Sequence, residues 1–200
     1  MKTSSLPFKT QLLLFSFAFA SATVFSQIVT RENLNKPETA TPSEIYWAVK
    51  AYSPTWGLLD VKAMDPEGHI YDIKAIQDSD DTSILNVKAL VNGERLPVKL
   101  IVKKSDPVYP LRVITPNGGI MDVVALDPDG ETIAIKGISK SGNIVHIRAI
   151  RPQNIMYNII AVSPDGETNS VKGVKMMDEE VETVINGVSI FAHVKALTQN

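Results

Sequence analysis

The tripeptide Val-Lys-Ala, or a close variant of it, returns about every twelve residues from Ala48 almost to the C-terminus, so the chain is a tandem repeat before it is anything else. With the residue before Val-Lys-Ala as position 1, units begin at Ala48, Asp60, Asp72, Asn86, Pro97, Pro110, Asp122, Ala134, His146, Asn158 and Ser170. A degenerate unit starts at Glu182 and a partial one at His193. Proline at position 7, Asp or Glu at 8 and glycine at 9, as in Pro66-Glu67-Gly68, describe a type I turn closed by a left-handed residue. That is the loop of a three-residue hairpin with a bulge, so each unit is one strand and one tight reversal.

Such a loop sets position 4 opposite 12, and beyond it positions 3, 2 and 1 opposite positions 1, 2 and 3 of the next unit. The residues agree with that register. Small position 4 meets large position 12 in Ala63 with Tyr71, Gly137 with Val145 and Ala149 with Tyr157, and β-branched residues meet in Val61 with Ile73 and Ile135 with Ile147. Lysine at 3 faces aspartate at 1 in Lys50 with Asp60 and Lys62 with Asp72, and reciprocally in Asp60 with Lys74 and Asp122 with Lys136. Pairs of these kinds contribute roughly 0.2 to 1 kcal/mol each. Asn92-Gly93 and Asn186-Gly187 mark two-residue type I′ hairpins, and an acidic loop from Asp78 to Thr82 absorbs the extra length of the unit from Asp72.

The expected fold is all-β: an antiparallel meander of about 13 short strands from the 12-residue repeat, rolled into a flattened barrel or two-layer sandwich. Positions 12, 2 and 4 line the buried face, and a charge ladder at 1 and 3, flanked by apolar residues at 5 and 11, lines the other. Thirteen strands would make only about three propeller blades, where at least four are usual.

Residues 1–26 read as a secretory signal: Lys2 and Lys9 lead, Leu12 to Ala20 form the apolar stretch, and Val24-Phe25-Ser26 supplies the cleavage site. Residues 27–42 are polar and proline-bearing, a flexible leader, followed by one β-repeat domain over 43–197 and a tail over 198–200. The expected address is therefore periplasmic or extracellular. No later run reaches the roughly 20 apolar residues of a transmembrane helix. Cysteine is absent, which excludes disulfides and a lipid-modified cysteine. Without the signal's two lysines, 18 basic side chains stand against 22 acidic ones, a balance that argues against nucleic acid as a partner.

Half of the basic residues occupy position 3: Lys50, Lys62, Lys74, Lys88, Lys99, Arg112, Lys136, Arg148, Lys172 and Lys195. The preferred reading is a solvated face neutralised by its own cross-strand aspartates. Beyond Ala134 the acids at position 1 give way to Ala, His, Asn and Ser, so Lys136, Arg148 and Lys172 are where an anion would sit. Trp56 takes a loop position usually held by glycine, with Tyr52 close by, and the pair is a candidate sugar platform; an aromatic plug over the core is the plainer role. Asp78, Asp80 and Asp81 are the densest calcium candidates, although turn chemistry alone accounts for acids in such loops. His69, His146 and His193 show no metal-ligand spacing, and neither a nucleophile motif nor a phosphate-binding loop is present. No catalytic residue, metal or cofactor is expected.

The motif Val/Ile-Lys-Ala/Gly-x-x-Pro-Asp/Glu-Gly, seen in Asp60-Val-Lys-Ala-Met-Asp-Pro-Glu-Gly68 and the following Asp72-Ile-Lys-Ala, resembles a family of uncharacterised exported proteins of Bacteroidota, a domain of unknown function. The resemblance covers nearly all of residues 43–197 and implies an exported β-repeat domain with no catalytic residues to carry over. Val124 and Ile160 stand where the pattern has lysine.

These readings lead to an exported, non-enzymatic structural or binding module of the cell envelope, contacting polysaccharide or another envelope protein. Self-association through open sheet edges is also expected. The rival from another class is an outer-membrane barrel with its apolar face toward lipid, for which strands of about nine residues barely suffice. A carbohydrate-active enzyme is the weaker third reading, since it needs two converging carboxylates that no linear motif reveals.

Overall fold

Turn chemistry fixes the strand ends. In the computed structural model, which describes residues 44–102, 108–175 and 183–199, the amide of Gly68 donates to Asp65 O and that of Asp65 to His69 O, both at 3.1 Å. The same loop recurs at Thr115–Gly119, Asp127–Glu131 and Ser163–Glu167, with Gly118, Gly130 and Gly166 at φ of 81°, 82° and 95°. Asn92-Gly93 and Asn186-Gly187 both have positive φ at each residue, as a type I′ turn requires. The expected signal and leader lie outside the described residues, as does Asn200 of the tail.

Thirteen strands follow: β1 (Ile45–Ser53), β2 (Gly57–Met64), β3 (Ile70–Gln77), β4 (Ile84–Val91), β5 (Glu94–Ile101), β6 (Tyr109–Ile114), β7 (Ile120–Leu126), β8 (Thr132–Ser141), β9 (Ile144–Ile150), β10 (Met156–Val162), β11 (Thr168–Val174), β12 (Thr183–Ile185) and β13 (Val188–Thr198). They form an antiparallel meander, and all but β12 close into a 12-strand barrel. Among the described residues the sole helical piece is one 3-10 turn at Pro152–Asn154.

Closure uses a pairing that simple hairpins do not predict. Strand β1 gives Lys50–Ser53 to β2 and Ile45–Ala48, on the same edge, to β3, while β2 and β3 pair with each other through Lys62–Met64 and Ile70–Asp72. Three strands thus meet pairwise around one point, each dividing an edge between the other two. The same triangle recurs in β4, β5 and β13, in β6, β7 and β8, and in β9, β10 and β11. We call these the first to fourth triplets, and each centre a hub. Every triplet is joined to each of the other three by one strand pair: β1 with β10, β2 with β7, β3 with β4, β5 with β6, β8 with β9 and β11 with β13. This is the connectivity of a tetrahedron.

The interior follows from period-two alternation. Position 2 faces inward at every hub, with Val49, Val61 and Ile73 buried beneath the first, and Val87, Val98 and Val194 beneath the second. Trp47, expected in the core at position 12, is 1% exposed. Charges at position 3 face outward, so the apolar side chains turn away from the surroundings, the reverse of a lipid-facing barrel.

Ala63 meets Tyr71, Ala149 meets Tyr157, Lys50 meets Asp60 and Lys62 meets Asp72, all as the turns dictate. Three expectations need correction. Asp60 is not paired with Lys74, nor Asp122 with Lys136, nor Val61 with Ile73, because hairpin strands part at the hub: Lys74 pairs with Ala48, Lys136 with Pro110, Val61 with Ala125 and Ile73 with Ala89. Ile135 pairs with Ala149 and Gly137 with Ile147, not Ile135 with Ile147 or Gly137 with Val145. There the loop is Gly142-Asn143 with Ser141 opposite Ile144, and a bulge between Gly137 and Ser139 shifts the register. Finally, closure consumes the open edges expected to support self-association and, among the described residues, leaves β12, paired with β13 alone, as the edge piece.

One internal fit is specific to this chain. Leu100 occupies position 4, usually Ala or Gly, and faces Gly173: a Cβ there would lie 2.5 Å from Leu100 Cδ1 and 3.0 Å from Val145 Cβ. Gly173→Ala should therefore destabilise the fold by about 1 to 3 kcal/mol through overpacking. Leu100→Ala alone should cost about 2 to 5 kcal/mol through a cavity. Urea denaturation of the double variant should show clearly less than the sum of the two, since each change relieves the other.

Candidate functional site

The pairing scheme decides where every position-3 cation goes. Within a triplet, position 3 of one strand faces position 1 of the next. In the first hub Lys50 forms an ion pair with Asp60, Lys62 with Asp72 at 2.5 Å, and Lys74 reaches Asp72 at 3.8 Å. In the third, Arg112 meets Asp122 at 3.0 Å, beside an open hollow of about 230 Å³ that also touches Lys136. The second and fourth hubs have no acid at position 1, which holds Asn86, Pro97 and His193 in one and His146, Asn158 and Ser170 in the other. The neutralised-face reading is therefore right for half of the surface only.

Between triplets, position 3 faces position 3. Lys74 pairs with Lys88, Lys99 with Arg112, Lys136 with Arg148 and Lys172 with Lys195. Like charges directly opposite each other are unfavourable in a sheet. The two interruptions of the stripe, Val124 and Ile160, face Lys62 and Lys50, the lysines whose aspartates already satisfy them.

The sequence-predicted residues largely come together. Tyr52 is directly opposite Asn158, Asn158 opposite Arg148, and Arg148 opposite Lys136, a continuous row across β1, β10, β9 and β8 on the outer face. Tyr52 is 51% exposed. His146 lies two residues from Arg148 on the same face of β9, and its partner on β11 is Lys172. Burial, then the charges of Lys172 and Arg148, hold the His146 imidazole below its ordinary value, so it is neutral near pH 7. Lys172 is lowered by burial and then by Arg148. Neither His146 nor Asn158 stands out in the sequence; the signal was their place at position 1, where an acid is missing.

Trp56 lies apart from this row. It is half-buried against the core in the Ser53–Gly57 turn, and the Arg151 guanidinium sits 4.2 Å above its ring. One face of the indole is thereby taken up by a cation–π contact. Asp78, Asp80 and Asp81 do not converge as a ligand set; Asp81 instead accepts the Ser83 amide at 2.8 Å. Among the described residues, Asp65, Glu67 and His69 are the group whose ligand atoms gather, within 4.8 Å. Asp65 there already accepts from the His69 amide at 2.8 Å, and from Tyr71 at 3.0 Å, so turn closure accounts for it.

Residues 43–197, which contain every hub and the whole of the row, match a family of unknown function, DUF7486. The chain belongs to that family. No curated protein and no solved structure matches it. The DUF7486 match thus covers the same stretch as the barrel and brings no assigned activity with it.

The acid–lysine pairs of the first hub make a pH prediction. Hydrogen bonds from Lys50 and Lys62 hold the Asp60 and Asp72 carboxyls below their ordinary value, against an opposing effect of burial. A carboxyl lowered in the folded state contributes stability above its unfolded value and loses it as pH falls through the folded one. Asp72→Asn should cost less than about 1 kcal/mol at pH 7, because the pair is half exposed and screened. In urea melts near pH 2 that difference should vanish.

Proposed function

We propose that this protein is an exported, non-enzymatic binding module of the cell envelope that holds an acidic polysaccharide along the row Tyr52–Asn158–Arg148–Lys136, with His146 and Lys172 beside it. The observation that carries the reading is the direct cross-strand register of those four residues. An exposed aromatic ring beside an amide, with two cations and no carboxylate next in line, can stack on a sugar ring, bond its hydroxyls and attract its acid group. An extended polymer suits a row better than a closed pocket would. Trp56, at the neighbouring Ser53–Gly57 turn, is a supporting rather than a leading contact.

The address rests on the signal-like residues 1–26 and on the resemblance to exported proteins of Bacteroidota. The inward apolar core favours this reading over an outer-membrane barrel, which would need that apolar surface outside. The absence of nucleophile and cofactor motifs supports binding without catalysis.

Calorimetric titration with polygalacturonate at low salt should show binding that weakens as salt is added, because the contacts are charged and exposed. Arg148→Glu should lower the affinity at least tenfold, about 1.4 kcal/mol, and Tyr52→Ala several-fold. Affinity that is indifferent to both changes, or equal binding of neutral dextran, would sink the assignment.

A further inference from the structure

The densest cation cluster is not in the row but at the second hub. Lys88 of β4, Lys99 of β5 and Lys195 of β13 occupy equivalent position-3 places around one point, facing Pro97, His193 and Asn86. Each also faces a further cation on its outer edge: Lys88 faces Lys74, Lys99 faces Arg112 and Lys195 faces Lys172. Among the described residues no carboxylate forms an ion pair with the three hub lysines. Lys195 Nζ donates to Asn86 Oδ1, all three lysine side chains are half-buried, and the charges of Lys88 and Lys195 act on Lys99.

The first hub has the same strand pairing and three equivalent lysines, Lys50, Lys62 and Lys74, yet it carries Asp60 and Asp72 where the second carries Pro97 and His193. The second hub is therefore the first with its built-in counter-ions removed. Burial, then Lys88 and Lys195, push the Lys99 ammonium down to about 8, and His193 is lowered by burial and then by Lys99, Lys195 and Lys88. Assembling these like charges works against stability, and a bound anion would offset that cost.

We propose that the second hub is a binding site for a dianionic tetrahedral oxyanion, the phosphate of a phosphate ester, held by Lys88, Lys99 and Lys195 with His193 and Asn86 at its rim. Three strongly hydrated ammonium groups arranged around a three-fold point match three oxygens of such a group. The site stands independently of the polysaccharide row, touching it only where Lys195 faces Lys172.

Thermal unfolding of the full chain, with inorganic phosphate against sodium chloride of equal ionic strength, tests it. A ligand that binds the folded state raises Tm with its concentration. Wild type should show a phosphate-dependent rise at pH 7 that fades toward pH 9, as Lys99 loses its proton. Lys99→Met should raise Tm in chloride, by relieving like-charge repulsion, and abolish the phosphate-dependent rise. Lys195→Met should abolish it too, whereas Lys136→Met, in the row, should keep it. Flotation of wild type but not of Lys99→Met with phosphatidic acid vesicles supports the site and makes a lipid headgroup the source. A Tm rise without flotation supports it and makes the source a free phosphate ester. An equal rise in Lys99→Met and wild type, or none beyond chloride, overturns the proposal, and neither result touches polygalacturonate binding through Arg148.

Discussion

Every strand of this barrel must satisfy the hydrogen-bonding groups of two edges, and it does so by sharing one edge between two neighbours. That division happens at position 2 of each unit, where β1 leaves β3 for β2 and the other strands do likewise. It closes a sheet of short strands, and it puts three position-2 side chains beneath each hub, all of them β-branched except Leu111. The alanines and glycines at position 4 then let the bent strands approach, with Leu100 against Gly137 and Gly173 as the place where volume is redistributed between units.

The electrostatic pattern is a consequence of the same geometry. A hub brings position 3 against position 1, and the seams between hubs bring position 3 against position 3. Replacing one aspartate at position 1 therefore changes the charge of a single hub, and the repeat has done this unevenly: Asp60 and Asp72 neutralise the first, Asp122 half of the third, and none serves the second or fourth. Hubs of different net charge arise from one backbone plan by substitutions at one position.

Much of this was readable in advance wherever the information was local. The Pro-Glu-Gly and Asn-Gly turns set hairpin register, so Ala63 against Tyr71 and Lys50 against Asp60 followed from loop length alone. The exception within hairpins is Gly142-Asn143, a two-residue loop where the repeat spacing predicts three, and the register of β8 on β9 shifts with it. Which distant unit meets which was not readable, because units that look alike carry no address. Lys99 and His193 lie on strands β5 and β13, and only the folded chain reveals that they are neighbours. The basic stripe was seen, and Lys136, Arg148 and Tyr52 were singled out, but their alignment through Asn158 depends on the long-range pair β1 with β10.

The second triplet is also the one whose members are most widely separated along the chain. Strands β4 and β5 are neighbours in sequence and β13 lies far beyond them, and β13 also covers the free side of β11. Until it arrives, three edges stand uncovered at once, each a template for pairing with another molecule. The entropy of bringing Val188–Thr198 back to β4 and β5 makes that closing step slow. The strand that shuts the barrel is also the one that brings Lys195 and His193 to Lys88 and Lys99, so closure and assembly of the second hub are a single event.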